Sequence, residues 1–85
     1  MNRDKIVMYS TTWCDDCRRS KRVLDERLAR YEVVYIEEAE GGLSTMLKLN
    51  GGSQSVPTIV MPDGTVLVEP SNSELTAALD EFAVA

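Results

Sequence analysis

Apolar residues gather into four short runs, IVMY (6–9), VVYI (33–36), TIVM (58–61) and TVLV (65–68), with helical spacing between them. IVMY is fully apolar and reads as a buried strand that lies centrally in its sheet. VVYI repeats the buried-strand pattern. Between these two, steps of three and four residues from Cys17 reach Ser20, Leu24, Leu28 and Tyr31. That spacing predicts a helix from Asp15 to about Leu28, with this face turned into the core. Asp15 and Asp16 in its first turn, and Arg27 and Arg30 near its end, suit the helix dipole. Strand, helix and strand in so short a span predict a parallel βαβ unit with a right-handed crossover.

A second helix fits LSTMLKLN (43–50), stopped by Gly51 and Gly52, one of which takes the left-handed C-cap conformation. TIVM and TVLV flank Pro62-Asp63-Gly64, where Pro presets the turn and Gly supplies a positive φ, so they read as a β-hairpin. Ser71 and Glu74 have capping-box spacing ahead of an apolar stripe of Leu75, Ala78, Leu79 and Phe82, which predicts the last helix. The predicted order is β-α-β-α-β-β-α, an α/β chain. It forms one domain over residues 1–85, without repeats or linkers.

A chain of 85 residues supports one modest core and no more. Its net charge of −5 argues against a general role on nucleic-acid phosphates. The charge is uneven: residues 1–30 hold eight Lys or Arg against five acids, and residues 31–85 hold only Lys48 against nine. A negative partner could dock on the basic half. The plainer reading is a solvated helix face, since Lys21/Asp25, Arg22/Glu26 and Glu26/Arg30 fall at i,i+4 spacing. No apolar run approaches the roughly 20 residues needed to cross a bilayer, so no membrane role is expected. The start, MNRDKIVMYS, has too short an apolar stretch for a secretory signal, and the expected location is the cytoplasm. There a cysteine pair is more often catalytic or metal-binding than a structural staple.

Two cysteines are present, three apart in TTWCDDCRRSKR (11–22). Cys17 shares the buried helix face and is expected to be shielded. Cys14 falls at or just before the N-cap, where unpaired N–H groups and the helix dipole favour a negative sulfur. Thiols in such positions have pKa values lowered from about 8.5 to between roughly 3.5 and 7.5. Cys14 is therefore the expected nucleophile and Cys17 the resolving thiol. A structural zinc site takes four Cys or His ligands, and this chain has two Cys and no His. A single chain cannot close such a site; a metal or cluster bridging two chains stays open. Asp15 and Asp16 suit the first helical positions and oppose a thiolate at Cys14. A carboxylate roughly 6–8 Å away, at an effective dielectric of about 40–80, costs it on the order of 0.5–1.4 kcal/mol. That is comparable to the dipole's benefit, with Arg18 and Arg19 offsetting part of it. The expected thiol is less acidic than that of a strong oxidant, in a reducing protein.

With CxxC at a strand-to-helix turn and Val56-Pro57 opening a later strand, the chain resembles the glutaredoxins over nearly its whole length. The run NGGSQSVPTIVMPDGTVLVEPS (50–71) is similar to the mycoredoxins, bacterial members that use mycothiol in place of glutathione. The resemblance implies a thioredoxin-like (glutaredoxin) fold with a four-stranded mixed sheet and three helices. It implies a cis Pro57 facing the CxxC, Val56 offering backbone hydrogen bonds to a bound thiol or peptide, and Trp13 as a flat apolar contact beside the sulfur. Substrate contacts are also expected from Thr11 and from Ser71 and Asn72. Glutathione-binding glutaredoxins usually have Lys where this chain has Thr11, and a Gly-Gly-x-Asp-like turn where it has Glu69-Pro70-Ser71-Asn72. Both departures weaken the case for glutathione.

The activity implied is thiol–disulfide exchange on protein mixed disulfides. A small thiol, mycothiol ahead of glutathione, serves as co-substrate, with no other cofactor and no bound metal, in a monomer. Two other activities fit the same motif. One is a dithiol electron donor reduced by thioredoxin reductase, against which the absent Trp-Ser-Gly-Phe-Arg-Pro run counts. The other is an iron–sulfur carrier in which Cys14 of two chains and two small thiols hold one cluster.

Overall fold

The strands pair in the order β2-β1-β3-β4, with β1 (Ile6–Ser10), β2 (Tyr31–Tyr35), β3 (Thr58–Val60) and β4 (Val66–Val68). The computed structural model describes residues 5–84, with side chains from 5 to 81. Helices α1 (Asp15–Glu26), α2 (Gly42–Leu49) and α3 (Asn72–Val84) complete the expected order. β1 runs parallel to β2 and antiparallel to β3, and β3 and β4 form the hairpin. The sheet is therefore mixed and β1 is interior, as its apolar run predicts.

Register decides which face becomes core. Met8 lies opposite Ile59, and Ile59 opposite Leu67, so one row of side chains crosses three strands. Onto that row pack Cys17, Val23 and Leu24 from α1 and Leu75 and Leu79 from α3. Met8, Leu24, Ile59 and Leu75 have no solvent exposure, and burial of such a side chain contributes about 1.5–3 kcal/mol. Arg27 of α1 also pairs with Asp80 of α3. The opposite face takes α2. Val34, the register partner of Tyr9, points away from the Met8 row, and its Cγ1 lies 3.5 Å from where a Cβ on Gly42 would stand. The stripe of α3 is buried at Leu75 and Leu79, while the Phe82 side chain lies outside the described residues.

Four expectations need correction or refinement. β2 is an edge strand and its residues are half-buried or exposed, because among the described residues nothing pairs with its outer side. VVYI is apolar, but only one of its edges is covered. Second, the i,i+4 ion pairs do not form among the described residues. Arg18 pairs with Asp15 and Arg19 with Asp16 at i,i+3, and Lys21 reaches the Tyr35 hydroxyl at 3.3 Å. Third, both Gly51 (φ 77°) and Gly52 (φ 96°) have positive φ where one was required. The N–H of Gly52 donates to Leu47 O at 2.8 Å and closes the end of α2.

The fourth concerns Leu28, which was expected on the buried face and is 89% exposed. Helix α1 stops two residues earlier. Leu28 takes φ 54°, its N–H donates to Asp25 O, and the N–H of Ala29 donates to Leu24 O, each at 3.0 Å. This is a Schellman C-cap with leucine in the left-handed position usually held by glycine. Periodicity pointed Leu28 inward, but the reversal of the chain turns it to water.

Leu24 and Leu28, four residues apart, should therefore respond in opposite directions. Leu24→Ala is expected to cost about 2–5 kcal/mol by opening a cavity. Leu28→Gly is expected to stabilise by about 0.5–1 kcal/mol, since it relieves left-handed strain and surrenders no buried surface. Urea unfolding of the two variants checks both signs; a destabilised Leu28→Gly would contradict the cap assignment.

Candidate active site

Strands β1 and β2 end level with each other, Ser10 opposite Tyr35, and beyond that pair the two chains diverge. One becomes the loop Thr11–Trp13 leading into α1; the other turns over Ile36 and Glu37 toward α2. The candidate site lies at this carboxyl edge of the parallel strands, where α/β sheets commonly bind ligands.

Cys14 is the N-cap of α1, with extended φ −86° and ψ 115°. Its Sγ accepts the N–H of Cys17 at 3.1 Å, so one of the helix's unpaired donors points at the sulfur. The two cysteines form a disulfide, with Cα atoms 5.2 Å apart. Cys17 is 1% exposed, whereas Cys14 is only half-buried. A partner's sulfur can thus reach Cys14 and not Cys17, which is the asymmetry expected from the helical face. Asp15 and Asp16 are exposed in the first turn, each held by its arginine at 3.3 and 3.4 Å.

Opposite Cys14 stands the segment before β3. The Val56 carbonyl is 3.9 Å from Cys14 Sγ, the Val56–Pro57 bond is cis, and Pro57 is buried. The Pro57 carbonyl accepts from Glu69 N–H at 2.8 Å, which ties this segment to the chain after β4. Asn50 braces it from the other side, donating to Ser53 O at 2.7 Å and to Thr58 Oγ1 at 3.1 Å.

Val56, whose carbonyl faces Cys14 Sγ, borders a groove of about 360 Å³ that neither cysteine itself lines. Thr11, Trp13 and Val56 line it, as do Ile36, Glu37, Leu43 and Gln54. Trp13, immediately before Cys14, is 69% exposed. Thr11 is buried and its hydroxyl has no hydrogen-bond partner among the described residues. Ser71 and Asn72 are not among the lining residues. Ser71 instead caps α3: its N–H donates to Glu74 Oε1 at 2.8 Å and its Oγ accepts from Glu74 N–H at 3.1 Å. Asn72 is the exposed first residue of that helix.

The pattern of the sequence did not single out Glu37. Its Oε2 accepts both the N–H of Thr12 at 2.9 Å and the Thr12 hydroxyl at 2.8 Å. These bonds, led by the one from the N–H, hold the carboxyl below its ordinary pKa. A lowered folded pKa means that the clamp is fully present above the unfolded value and is lost only as pH falls through the lowered one. It is intact at neutral pH. The available signal was topological: residues just beyond two adjacent parallel strands stand side by side, so Glu37 beyond VVYI had to fall near TTWC. Glu37 is also the one ionisable side chain among the groove's lining residues, none of which is Lys or Arg.

The comparisons with known proteins agree with this geometry. The family model for glutaredoxin matches residues 6–67. A candidate glutaredoxin of Mycobacterium tuberculosis is 35% identical over 78 residues, covering 92% of this chain and 93% of its own. Mycoredoxin 1 of Corynebacterium glutamicum is 28% identical, covering 92% of this chain and 96% of its own. Among solved structures, methanoredoxin of Methanosarcina acetivorans superposes with a TM-score of 0.78 at 26% identity, over 91% of this chain and 85% of its own. Together with a half-exposed Cys14 capping the helix above a buried Cys17, these matches make the chain a member of the glutaredoxin family, on its mycoredoxin-like side, and a thiol–disulfide oxidoreductase.

Proposed function

We propose that this protein reduces mixed disulfides between protein thiols and mycothiol, with Cys14 as the attacking sulfur and Cys17 as the resolving one. The observation that carries the choice of thiol is the charge of the groove. Glutathione brings carboxylates, for which a groove with one acid and no cation offers no partner and some repulsion. Mycothiol is a neutral, hydroxyl-rich sugar thiol, which can use the exposed amide of Gln54 without a counter-charge. Similarity to a relative named as a mycoredoxin points the same way. Trp13 and Val56 offer the apolar and backbone contacts, while Ser71 and Asn72, outside the groove, are left to contacts with the larger protein partner. The protein acts in this reading as a cytoplasmic monomer, needing only the small thiol as co-substrate.

The reaction balances without another cofactor. Cys14 thiolate, favoured by the N–H of Cys17 at 3.1 Å, attacks the mycothiol sulfur of the mixed disulfide. The bond to the protein thiol breaks, and that thiolate leaves and takes a proton from water. A second mycothiol thiolate then attacks the same mycothiol sulfur, releasing Cys14 thiolate and mycothiol disulfide. Alternatively Cys17 attacks Cys14 Sγ, expels mycothiol and closes the Cys14–Cys17 disulfide. The first route needs one cysteine and the second needs both.

A Cys17→Ser variant is accordingly expected to retain turnover on mycothiol mixed disulfides with a mycothiol-reducing system, and to show little on glutathione mixed disulfides with theirs. Inactivity on both, while the wild type draws electrons from thioredoxin reductase, would replace this reading with a dithiol donor.

Asp15 and Asp16 supply a second check. They stand exposed beside Cys14 and oppose its thiolate through space. Asn at either position is expected to move the midpoint of Cys14 alkylation in the reduced protein to lower pH, by about 0.4–1 pH unit per charge removed. An unmoved midpoint would leave the aspartates as helix-start residues alone.

A further inference from the structure

We infer that Glu37 is a positioning and selectivity residue of the active site: it holds the loop that carries the cysteine in place through Thr12 and sets a negative charge in the groove against carboxylate-bearing thiols. The inference rests on Cys14 attacking at this groove, and it does not require mycothiol to be the natural thiol.

The positioning half comes from hydrogen-bond accounting. Thr12 lies two residues before Cys14, in a stretch with neither helix nor strand pairing of its own. Apart from the neighbouring Ser10, whose hydroxyl donates to Thr11 O at 3.0 Å, Glu37 is among the described residues the one side chain from outside this loop that hydrogen-bonds to residues 11–13. It does so twice, with one oxygen taking both donors of Thr12 across a separation of 25 residues. The base of the clamp is firm. Ile36 N–H donates to Ser10 O at 2.9 Å, and the N–H groups of Glu38 and Ala39 fold back on Tyr35 O at 3.0 and 2.8 Å. Glu37 thus projects from a closed turn at the end of the sheet. Releasing it leaves the Thr12 N–H to water and loosens Trp13, which at 69% exposure has little burial to hold it.

The selectivity half comes from placement. Glu37 shares the groove with Trp13 and Val56, which flank Cys14. Its partners are neutral donors, not cations, so its charge is oriented and not neutralised. A carboxylate of a thiol lodged in that groove meets this charge at a separation of a few ångströms, partly screened by solvent.

The test uses a matched pair of oxidants, glutathione disulfide and the disulfide of its glycyl monoethyl ester, which differ by one negative charge in each half. Their second-order rates with reduced Cys14 are measured in the Cys17→Ser background, alongside the anisotropy of Trp13, the single tryptophan of the chain. The wild-type groove is expected to favour the ester by roughly two- to ten-fold. Glu37→Gln keeps an oxygen for Thr12 and removes the charge, so the preference should shrink toward unity through a faster reaction with the free acid. Glu37→Ala removes both, and is expected to slow both reactions several-fold and lower Trp13 anisotropy, with Gln restoring the rate and the anisotropy that Ala loses. An ester preference unchanged in Glu37→Gln would overturn the selectivity role. Wild-type rates and anisotropy in Glu37→Ala would overturn the positioning role. A wild type that handles these probes as expected and yet ignores mycothiol mixed disulfides would defeat the proposed substrate and leave Glu37's role standing.

Discussion

The buried face of α1 is the constraint on which the reactive end of the molecule depends. Cys17, Ser20 and Leu24 lie against β1 and β3 with almost no exposure, and that docking sets where the helix begins. Because Cys17 is packed, its own N–H is held still, and Cys14 is fixed as the N-cap with its sulfur accepting that N–H. Reactivity and shielding are thus two ends of one helical turn. Chemistry requires one sulfur outside and one inside, and a three-residue spacing at a helix start provides both.

A second constraint acts across the sheet. Parallel pairing of β1 with β2 brings Ser10 and Tyr35 level, so the segments that follow them leave the sheet together. The loop before Cys14 borders the turn holding Glu37, and the antiparallel β3 brings Val56 to the sulfur from the other side. Three elements meet at Cys14. Each is braced elsewhere: the Thr12 loop by Glu37, the Pro57 segment by Glu69 and Asn50, and the helix by its core face. The site is held from outside the two sulfurs.

Charge follows the same division. The surplus of cations near the cysteines does not enter the groove. Arg18 and Arg19 are drawn to Asp15 and Asp16 on the outer turn of α1, and Arg27 to Asp80. Exposed pairs of this kind contribute little to stability. Among the described residues that line the groove, Glu37 is the one charged side chain.

The sequence by itself determined the elements, their order and the placement of the cysteines, one at the helix start and one in the core, because these are written in local spacing. IVMY, the Pro62-Asp63-Gly64 turn, the Ser71/Glu74 box and the three-residue gap of the cysteines each specify geometry within one or two turns of chain. Helical periodicity also assigned Cys17 to the core, since Ser20 and Leu24 repeat its face. The same periodicity misplaced Leu28. A helix end is decided by backbone hydrogen bonds, and those of Leu28 and Ala29 turn the chain outward one step before the apolar face would have continued. The apolar run VVYI likewise made β2 look buried, since apolar content does not reveal which edge of a strand finds a partner. Tertiary structure alone decided the groove. Glu37 carries no motif, and it lies with Ile36, Leu43 and Gln54 far from the cysteines in sequence; only the tertiary fold brings them beside Trp13. A contact made across 25 residues leaves no periodic trace in the chain, so the Glu37 clamp on Thr12 becomes visible only when the two strands are laid side by side.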